Sequence, residues 1–543
     1  MSTKIIIDKN VHQHDDTHEK KELIKSKQED SHRKSFLWVK RNSNVVMYCA
    51  IAVVSFLMRI LFSNFSDDGK MPVFDEKHYV AQAQEMLLNR GMEFNPGYGL
   101  VVHPPLGKWL LSIGEILFGY SPIGWRMMPI IAGVITVLAV STVVHKITQS
   151  QTLTILSALL INIEGISLTM SRVGMLDSFV EMFASLILLF SVYYVYNDFN
   201  KKPFYKSYWL FAVGITGGLM TATKISGLYY MAFCGVALVL ATAITSRSVR
   251  QTLSSIGMGI FYIVVVPISI FMASFVPWFS NENAVFRHAV EEGKANDDIW
   301  YNFLPNSLQN FIYYQKEVMD FHTSLHTAQT QFHPYESKAW EWLIGARPMT
   351  FLTTSYVGEE SVARIVLFAN PAIWFLMGIV FLASVIMICK KDYRWVIVFG
   401  GFITGWIPWL IMSSRQMYLF YTAPLAPFLI IGIILLIDNI SSFIANKEKE
   451  KERTNESENE ITSDKEFENA KNKKKNKLII SISTTYGLLC LIVFAGLSPW
   501  VYQMKIPDAY DTWLFDAIPR WSPLNEDNLL ESFPNLPPEP PED

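Results

Sequence analysis

Long apolar runs separated by short polar segments dominate the chain. A bilayer core of about 30 Å needs about 20 apolar residues in a helix. The pattern therefore predicts about eleven membrane helices and an all-α polytopic membrane protein. The predicted spans are 45–63, 122–144, 152–170, 174–196, 208–223, 226–245, 253–277, 369–389, 395–413, 417–440 and 478–501. A shorter run, 106–119, follows two prolines and predicts a helix that lies at the membrane interface.

The basic residues assign the loops to two sides of the membrane. Lys and Arg in short loops tend to remain in the cytoplasm. With the N-terminus inside, two large loops and the acidic C-terminal tail face outward. The predicted organisation is a disordered cytoplasmic tail (1–44), a membrane domain (45–441) with outer loops 64–121 and 278–368, a flexible charged cytoplasmic linker (442–477), a last membrane helix (478–501) and an outer tail (502–543). The location predicted is the plasma membrane.

Composition supports this picture. Only 17% of the residues are charged, against about 25% in an average soluble protein. The formal net charge is −3, and no basic patch interleaved with aromatic residues indicates a nucleic-acid partner. All four cysteines lie in apolar runs, which is typical of small buried side chains. Because the polar residues gather in the outer loops, the sequence favours an enzyme that works at the outer interface.

The first outer loop contains two adjacent carboxylates, Asp75 and Glu76. One of them could accept a proton while the other positions it, although a solvated helix start is an equally plain interpretation. His103 and Lys108 flank a later Pro-Pro helix start and could line a pocket or only cap the helix. Arg126 is predicted near the outer end of a span, where it could bind a phosphate or reach lipid headgroups.

Further charges lie at the predicted outer ends of other spans. Arg172 and Asp177 could face each other across a turn, as an ion pair or as substrate contacts. Lys224 and Arg415 are two more cations at this side. The second outer loop adds three candidates, His333, Glu336 and Arg347. Cations together with a carboxylate pair suit an anionic lipid donor and deprotonation of an acceptor.

Taken in order, these segments resemble the protein O-mannosyltransferase family, the dolichyl-phosphate-mannose–protein mannosyltransferases. The matching segments between residues 70 and about 430 are Phe74-Asp75-Glu76, His103 to Lys108 (HPPLGK), Gly124-Trp125-Arg126, Ser171-Arg172 with Leu176-Asp177, Ala222 to Tyr229, His333 to Ser337 (HPYES), Asn370-Pro371-Ala372, and Arg415 with Tyr421 and Pro424. The 278–368 loop is too short for the β-trefoil MIR domain of the eukaryotic members, so the chain looks like the bacterial type.

The resemblance implies a GT-C fold and inverting transfer of mannose to Ser or Thr from a polyprenyl-phosphate-mannose donor. It implies that Asp75 is the catalytic base, that Glu76 is its partner in acceptor binding, and that Arg126 contacts the donor phosphate. Lys224 and Arg415 are expected to assist at the phosphate. The residues expected only to line the site are His103, Lys108, Arg172, Asp177, His333, Glu336 and Arg347. The acceptor would be a polypeptide that could emerge from the secretion translocon.

No cofactor is expected, because the leaving phosphate is already anionic and cations alone can stabilise it; a divalent cation stays an open question. The sequence shows no Cys/His cluster for zinc. The nearest alternative is a GT-C transferase that moves arabinose or aminoarabinose to a lipid or glycan. A transporter or flippase would place polar residues through the span centres, whereas here they lie at the outer ends. A membrane scaffold would leave the ordered motifs unexplained.

Overall fold

The computed structural model describes residues 42–65, 71–89, 91–92, 102–199, 207–245, 249–295, 300–326, 332–356, 358–455 and 464–525. Most of the predicted N-terminal tail, the middle of the predicted linker and the end of the acidic tail lie outside these residues. The chain divides into a short unit that ends at Val54, whose described part is mostly helical, and a unit from Ser55 that holds every contact discussed below.

In the first half of the chain, helices cover most of each span that the apolar pattern predicts. Its helices are α1 (Ser43–Ile60), α2 (Glu76–Leu88), α3 (Leu106–Phe118), α4 (Pro122–Thr148), α5 (Gln151–Ile163), α6 (Gly165–Met170), α7 (Asp177–Tyr193), α8 (Tyr208–Thr223), α9 (Gly227–Thr245), α10 (Val249–Ile260), α11 (Val266–Ser274) and α12 (Val276–Ser280). A π-helical turn extends α7 over Tyr194–Asp198, and another, Phe261–Val265, joins α10 to α11.

The second half adds eight helices and a small sheet. The helices are α13 (Asn306–Ser324), α14 (Pro371–Trp374), α15 (Met377–Cys389), α16 (Trp395–Gly405), α17 (Ile407–Ile411), α18 (Ala426–Asn455), α19 (Asp464–Val501) and α20 (Asp508–Asp516). Two 3₁₀ turns occupy Glu341–Ile344 and Leu419–Leu425. Strands β1 (Met349–Ser355), β2 (Ser361–Leu367) and β3 (Ile506–Pro507) form an antiparallel sheet in the order β1-β2-β3.

Eight helical segments of the described chain are long and apolar enough to cross a membrane, and two shorter ones, Gln151–Ile163 and Trp395–Ile411, are apolar as well. The chain is therefore a multi-pass membrane protein, while the count of eleven spans stays a prediction. Predicted span 152–170 breaks between α5 and α6, where the Glu164 carboxylate accepts the backbone N–H groups of Ile166 and Ser167. The segment Leu419–Glu448 lies at the centre of the helix bundle. In its most apolar stretch 89% of the residues are buried, whereas in that of α9 only 22% are buried.

Two parts of the chain differ from the expectation. The predicted flexible linker is helical in its described part, because α18 continues to Asn455 and α19 already begins at Asp464. Ion pairs join these two helices, from Lys475 to Asp438 at 2.8 Å and from Lys474 to Glu448. The outer segments contain the three-stranded sheet in addition to helices, since the β-branched residues of β1 and β2 favour strands over helices.

Arg172 closes the end of α1 and does not pair with Asp177. Its guanidinium is buried and donates at 2.7 to 3.1 Å to four backbone carbonyls, those of Met58, Arg59, Leu61 and Phe62. A helix end leaves its last carbonyls without partners inside the helix, so one side chain satisfies several of them here. Arg172 therefore caps α1, and it does not line the cavity that Asp75 and Lys224 border.

Arg172→Met is expected to destabilise the fold by about 2–4 kcal/mol, because the freed carbonyls stay buried without a donor. The midpoint of thermal unfolding of the detergent-purified protein measures this effect. Lys390→Met, at an exposed position, is the control. Equal midpoints for the two variants would contradict the capping role.

Candidate functional site

A cavity of about 490 Å³ lies where the two large loops, predicted to be outer loops, meet the ends of several helices. Its wall combines one carboxylate, two cations, three histidines and several aromatic rings with a few amide, hydroxyl and apolar side chains. These side chains come from the start of α2 and the residue before it, the stretch before α3, the turn after α8 and the start of α9, the end of α13, and the stretch from α17 to α18. The principal lining residues are Asp75, His78, Tyr79, Gln82, His103, Lys224, Ser226, Tyr229, His322, Trp409, Arg415, Tyr418, Phe420 and Tyr421.

Asp75 is the carboxylate of this cavity. It stands immediately before α2, yet its side chain makes no capping hydrogen bond to that helix. The group is half-buried, and burial raises the pKa of the Asp75 carboxyl to about 6, although the charges of His78 and Lys224 act in the opposite direction. A carboxylate with a raised pKa that borders a cavity can serve as a proton acceptor near neutral pH.

Glu76, the next residue, has the opposite environment. It is fully buried, and its two carboxylate oxygens accept Nε and Nη2 of Arg126, both at 2.7 Å. The same oxygens accept the backbone N–H groups of Val73 at 2.9 Å and Gly174 at 2.6 Å. Glu76 therefore ties the start of the first outer loop to α4 and to the turn before α7.

Arg126 extends this tie to the end of α1. Its Nη1 donates to the backbone carbonyls of Ser63 and Phe65, and its guanidinium lies 3.7 Å from the centre of the Phe65 ring. Arg126 has no exposed surface and does not line the cavity. Glu76 and Arg126 thus form a buried pair directly next to Asp75 in the chain, and the contact of Arg126 with the donor phosphate stays a prediction.

Two cations do line the cavity. Lys224 follows the last residue of α8, and its Nζ lies 2.8 Å from Oδ1 of Asp177, the first residue of α7. The ammonium group also lies 5.3 Å from the centre of the Tyr421 ring. Asp177 is buried, and its Oδ1 holds the Lys224 ammonium group, which still reaches the cavity. The Oδ2 of Asp177 makes no hydrogen bond.

Arg415 is held by His322. The Nη2 of Arg415 and the Nδ1 of His322 are 3.2 Å apart, and the Nε2 of His322 is 3.1 Å from the Val102 carbonyl. Because a carbonyl can only accept, Nε2 carries the proton and Nδ1 accepts from the guanidinium. Burial lowers the pKa of His322 to about 4, and the Arg415 charge acts in the same direction, so the imidazole is neutral.

His103 completes the polar wall. Its ring stacks on that of His322 with 5.4 Å between the ring centres and lies 5.8 Å from the Tyr79 ring. Burial, followed by the charge of Lys224, holds the pKa of His103 well below its ordinary value. Two neutral histidines therefore border the cations, and they can offer hydrogen bonds without adding charge.

The other predicted residues lie outside the cavity lining. Lys108 is buried and donates to the His103 carbonyl. Glu336 pairs with Lys338 at 2.9 Å, and His333 packs edge-on against Tyr418. Arg347 donates to the carbonyls of Arg520 and Ser522, which fixes the C-terminal segment to the second outer loop.

Sequence reasoning missed several lining residues. His322 lies in the last turn of α13, within a mixed polar and aromatic stretch that carries no motif. Tyr79 and Gln82 follow Asp75 at helical spacing and could have been found from the α2 pattern alone. The described part of the chain contains no group of three or more His, Cys, Asp or Glu side chains that could hold a metal ion. The arrangement can bind an anion and accept a proton beside it.

Comparisons with known proteins agree on one family. Residues 102–271 match the family model of dolichyl-phosphate-mannose-protein mannosyltransferase, and residues 307–514 match the model of the C-terminal four-transmembrane region of protein-O-mannosyltransferase. The chain is 33% identical over 425 residues to a polyprenol-phosphate-mannose–protein mannosyltransferase of Mycolicibacterium smegmatis, covering 73% of this chain and 82% of that protein. A protein of the same name from Corynebacterium glutamicum is 33% identical over 435 residues, with the same coverage.

A solved structure shares the fold. The Saccharomyces cerevisiae protein O-mannosyltransferase Pmt1-Pmt2 complex, bound to the sugar donor, superimposes with a TM-score of 0.66 at 13% identity, over 92% of this chain and 96% of that one. At this identity the likeness establishes the fold alone.

Glu76→Gln is expected to cost about 3–5 kcal/mol of stability, because it leaves the buried Arg126 charge without its partner. Adding Arg126→Met to that variant is expected to restore part of the loss, since the remaining buried charge is then removed. The midpoint of thermal unfolding measures both effects.

The exposed Glu360→Gln serves as the control for the charge change alone. A Glu76→Gln protein as stable as this control would disprove the supporting role of the pair.

Proposed function

The chain belongs to the protein O-mannosyltransferase family and has its GT-C fold, and on this premise we propose that it transfers mannose from a polyprenyl-phosphate-mannose donor to Ser or Thr hydroxyls of polypeptide acceptors. The observation that carries the proposal is the position of Asp75. Its half-buried carboxylate borders the same cavity as Lys224 and Arg415. A proton acceptor and two cations in one cavity match the requirements of a phosphate leaving group and a hydroxyl nucleophile.

The proposed reaction is a single displacement with inversion. The acceptor hydroxyl attacks the anomeric carbon from the side opposite the phosphate, and the bond between that carbon and the phosphate oxygen breaks. Asp75 takes the hydroxyl proton as the new glycosidic bond forms. The polyprenyl phosphate leaves with one more negative charge, which Lys224 and Arg415 stabilise electrostatically.

In this proposal Glu76 and Arg126 act through Asp75 and touch neither substrate. The four hydrogen bonds that Glu76 accepts fix the start of α2, and Asp75 is the residue directly before it. Preorganisation of this kind is effective because a catalytic group displaced by about 1 Å can lose about a hundredfold in rate. His322 acts in the same way on Arg415.

The proposed location of the reaction is the outer face of the plasma membrane. The two large loops supply Asp75, His103 and His322 to the cavity and carry few basic residues for their length, whereas Lys and Arg are concentrated in the loops on the other side. This orientation places the N-terminus in the cytoplasm and the C-terminus outside. An acceptor that leaves the secretion translocon unfolded would reach the cavity from that face. The proposed reaction needs no cofactor.

The substrate class is tested with purified membranes, labelled polyprenyl-phosphate mannose and a Ser/Thr-rich peptide. Label on the peptide supports the proposal, and label on lipid or glycan supports the alternative GT-C transferase. Asp75→Asn is expected to lower peptide mannosylation by at least about a hundredfold while the protein still folds and inserts.

Asp508→Asn is the matched control, because this aspartate is exposed and does not line the cavity. Near-normal transfer by Asp75→Asn would exclude Asp75 as the base.

The transfer rate is expected to depend on pH with a midpoint near the Asp75 pKa of about 6. A base must be unprotonated, so a raised pKa means that the rate falls as the pH drops through 6 and not through the ordinary range near 4. His322, with its pKa of about 4, does not titrate in this window. The profile of kcat/KM against pH for the peptide is the measurement.

His78 also lines the cavity and carries the other acid–base side chain next to Asp75, so His78→Gln is the control. A midpoint that disappears in His78→Gln, or one that lies near 4 in the wild type, would contradict the assignment to Asp75.

A further inference from the structure

The residue before Asp75 has an unusual backbone conformation. Phe74 has a φ of +49°, in the left-handed region, although it carries a bulky side chain. Such a conformation is unfavourable for a bulky residue and persists only where the surrounding structure enforces it. The backbone of Phe74 determines the direction in which the Asp75 side chain leaves the chain. The contacts that hold Phe74 in this conformation therefore also set the direction of the Asp75 carboxylate, the proposed base.

An aromatic clamp holds the Phe74 ring. Phe351 of β1 stacks on it with 4.6 Å between the ring centres and an angle of 10° between the planes. Phe420, which lines the cavity, meets the ring of Phe74 edge-on at 6.3 Å. The ring of Phe74 thus lies between a strand of the second outer loop and the cavity wall.

The strand is irregular at the residue that makes this contact. Thr350 lies opposite Val366 and Leu352 lies opposite Ile365, so the register skips Phe351. An extra residue of this kind bends a strand and redirects a side chain, and such bulges occur often beside active sites. Here the redirected side chain is the one that contacts Phe74.

Two independent sets of contacts therefore meet at one turn. Glu76 fixes the turn from below through the Val73 N–H and Arg126, and the aromatic clamp fixes it from the side of the second loop. Asp75 lies between them and makes no capping hydrogen bond of its own. The polar contacts involve Val73 and Glu76 on either side of this turn, whereas the ring of Phe74 is held by the aromatic contacts.

We propose that Phe351 is a positioning residue for the proton acceptor: it holds the Phe74 ring, and through Phe74 it keeps the Asp75 carboxylate directed at the cavity. This inference rests on the proposed function. It makes the sheet of the second outer loop a part of the machinery that deprotonates the acceptor hydroxyl, although no residue of the sheet lines the cavity.

The test is Phe351→Ala in the full-length protein, with initial rates measured against both the donor and the peptide. The kcat is expected to fall by at least about tenfold, since small displacements of a catalytic group are costly. The KM for polyprenyl-phosphate mannose is expected to change little, because Lys224 and Arg415 are untouched. The midpoint of the pH profile is expected to move toward lower pH, because a released Asp75 carboxylate gains solvent.

Leu352→Ala is the matched control. Leu352 is the next residue of the same strand, is similarly buried, and keeps its register with Ile365. Equal losses of kcat in the two alanine variants, with the pH midpoint unmoved in both, would reduce Phe351 to ordinary packing and overturn the inference.

Conservative variants keep the test decisive if Phe351→Ala fails to fold. Phe351→Tyr retains the ring face and is expected to keep the wild-type kcat and pH midpoint, whereas Phe351→Leu fills the space without a ring and is expected to lower both. A Phe351→Leu enzyme with wild-type values would also overturn the inference. If the Phe351 variants give either of these overturning results while Asp75→Asn is inactive, this inference fails and the proposed function stands.

Discussion

The buried ion pair of Glu76 and Arg126 is the interaction on which the rest of the site depends. Removing two charges from water is costly, and such a pair is stable only when its remaining polar atoms are also satisfied. Here the Val73 and Gly174 N–H groups and the Ser63 and Phe65 carbonyls do so. These partners come from three separate parts of the chain, residues 63–65, Val73 and Gly174. The pair therefore fixes the start of α2 relative to α1, α4 and α7.

The two adjacent carboxylates show how environment separates roles. Titratable neighbours whose surroundings differ in this way commonly divide acid–base work from structural work. Glu76 is surrounded by donors and has no exposed surface, whereas Asp75 borders the cavity and has a raised pKa. The cations that face Asp75 arrive from other elements, Lys224 from the end of α8 and Arg415 from the stretch before α18. Asp177 holds Lys224 in position, and His322 holds Arg415.

The sequence predicted the helical membrane part well because apolar length is a local property of the chain. It also named Asp75, Lys224 and Arg415 as candidate site residues; the three line one cavity, and their roles there stay predictions. The sequence could not show that Arg126 and Arg172 are buried away from the cavity that Lys224 and Arg415 line, because it does not reveal the partner of a charged residue. Arg126 meets Glu76 fifty positions away, and Arg172 meets the end of α1. The bulge at Phe351 and the contact of His322 with Arg415 depend on tertiary pairing and left no signal in the motifs.

In the proposed reaction, Asp75 meets the acceptor hydroxyl while Lys224 and Arg415 hold the donor phosphate. An experimental structure with a non-transferable phosphonate analogue of polyprenyl-phosphate mannose and a Ser/Thr peptide is the decisive measurement. The hydroxyl oxygen is expected within about 3 Å of an Asp75 carboxylate oxygen. The phosphonate is expected in contact with both cations, and Arg126 is expected to remain paired with Glu76. A phosphonate bound by Arg126, or a hydroxyl placed at another carboxylate such as Asp177, would contradict the proposed reaction.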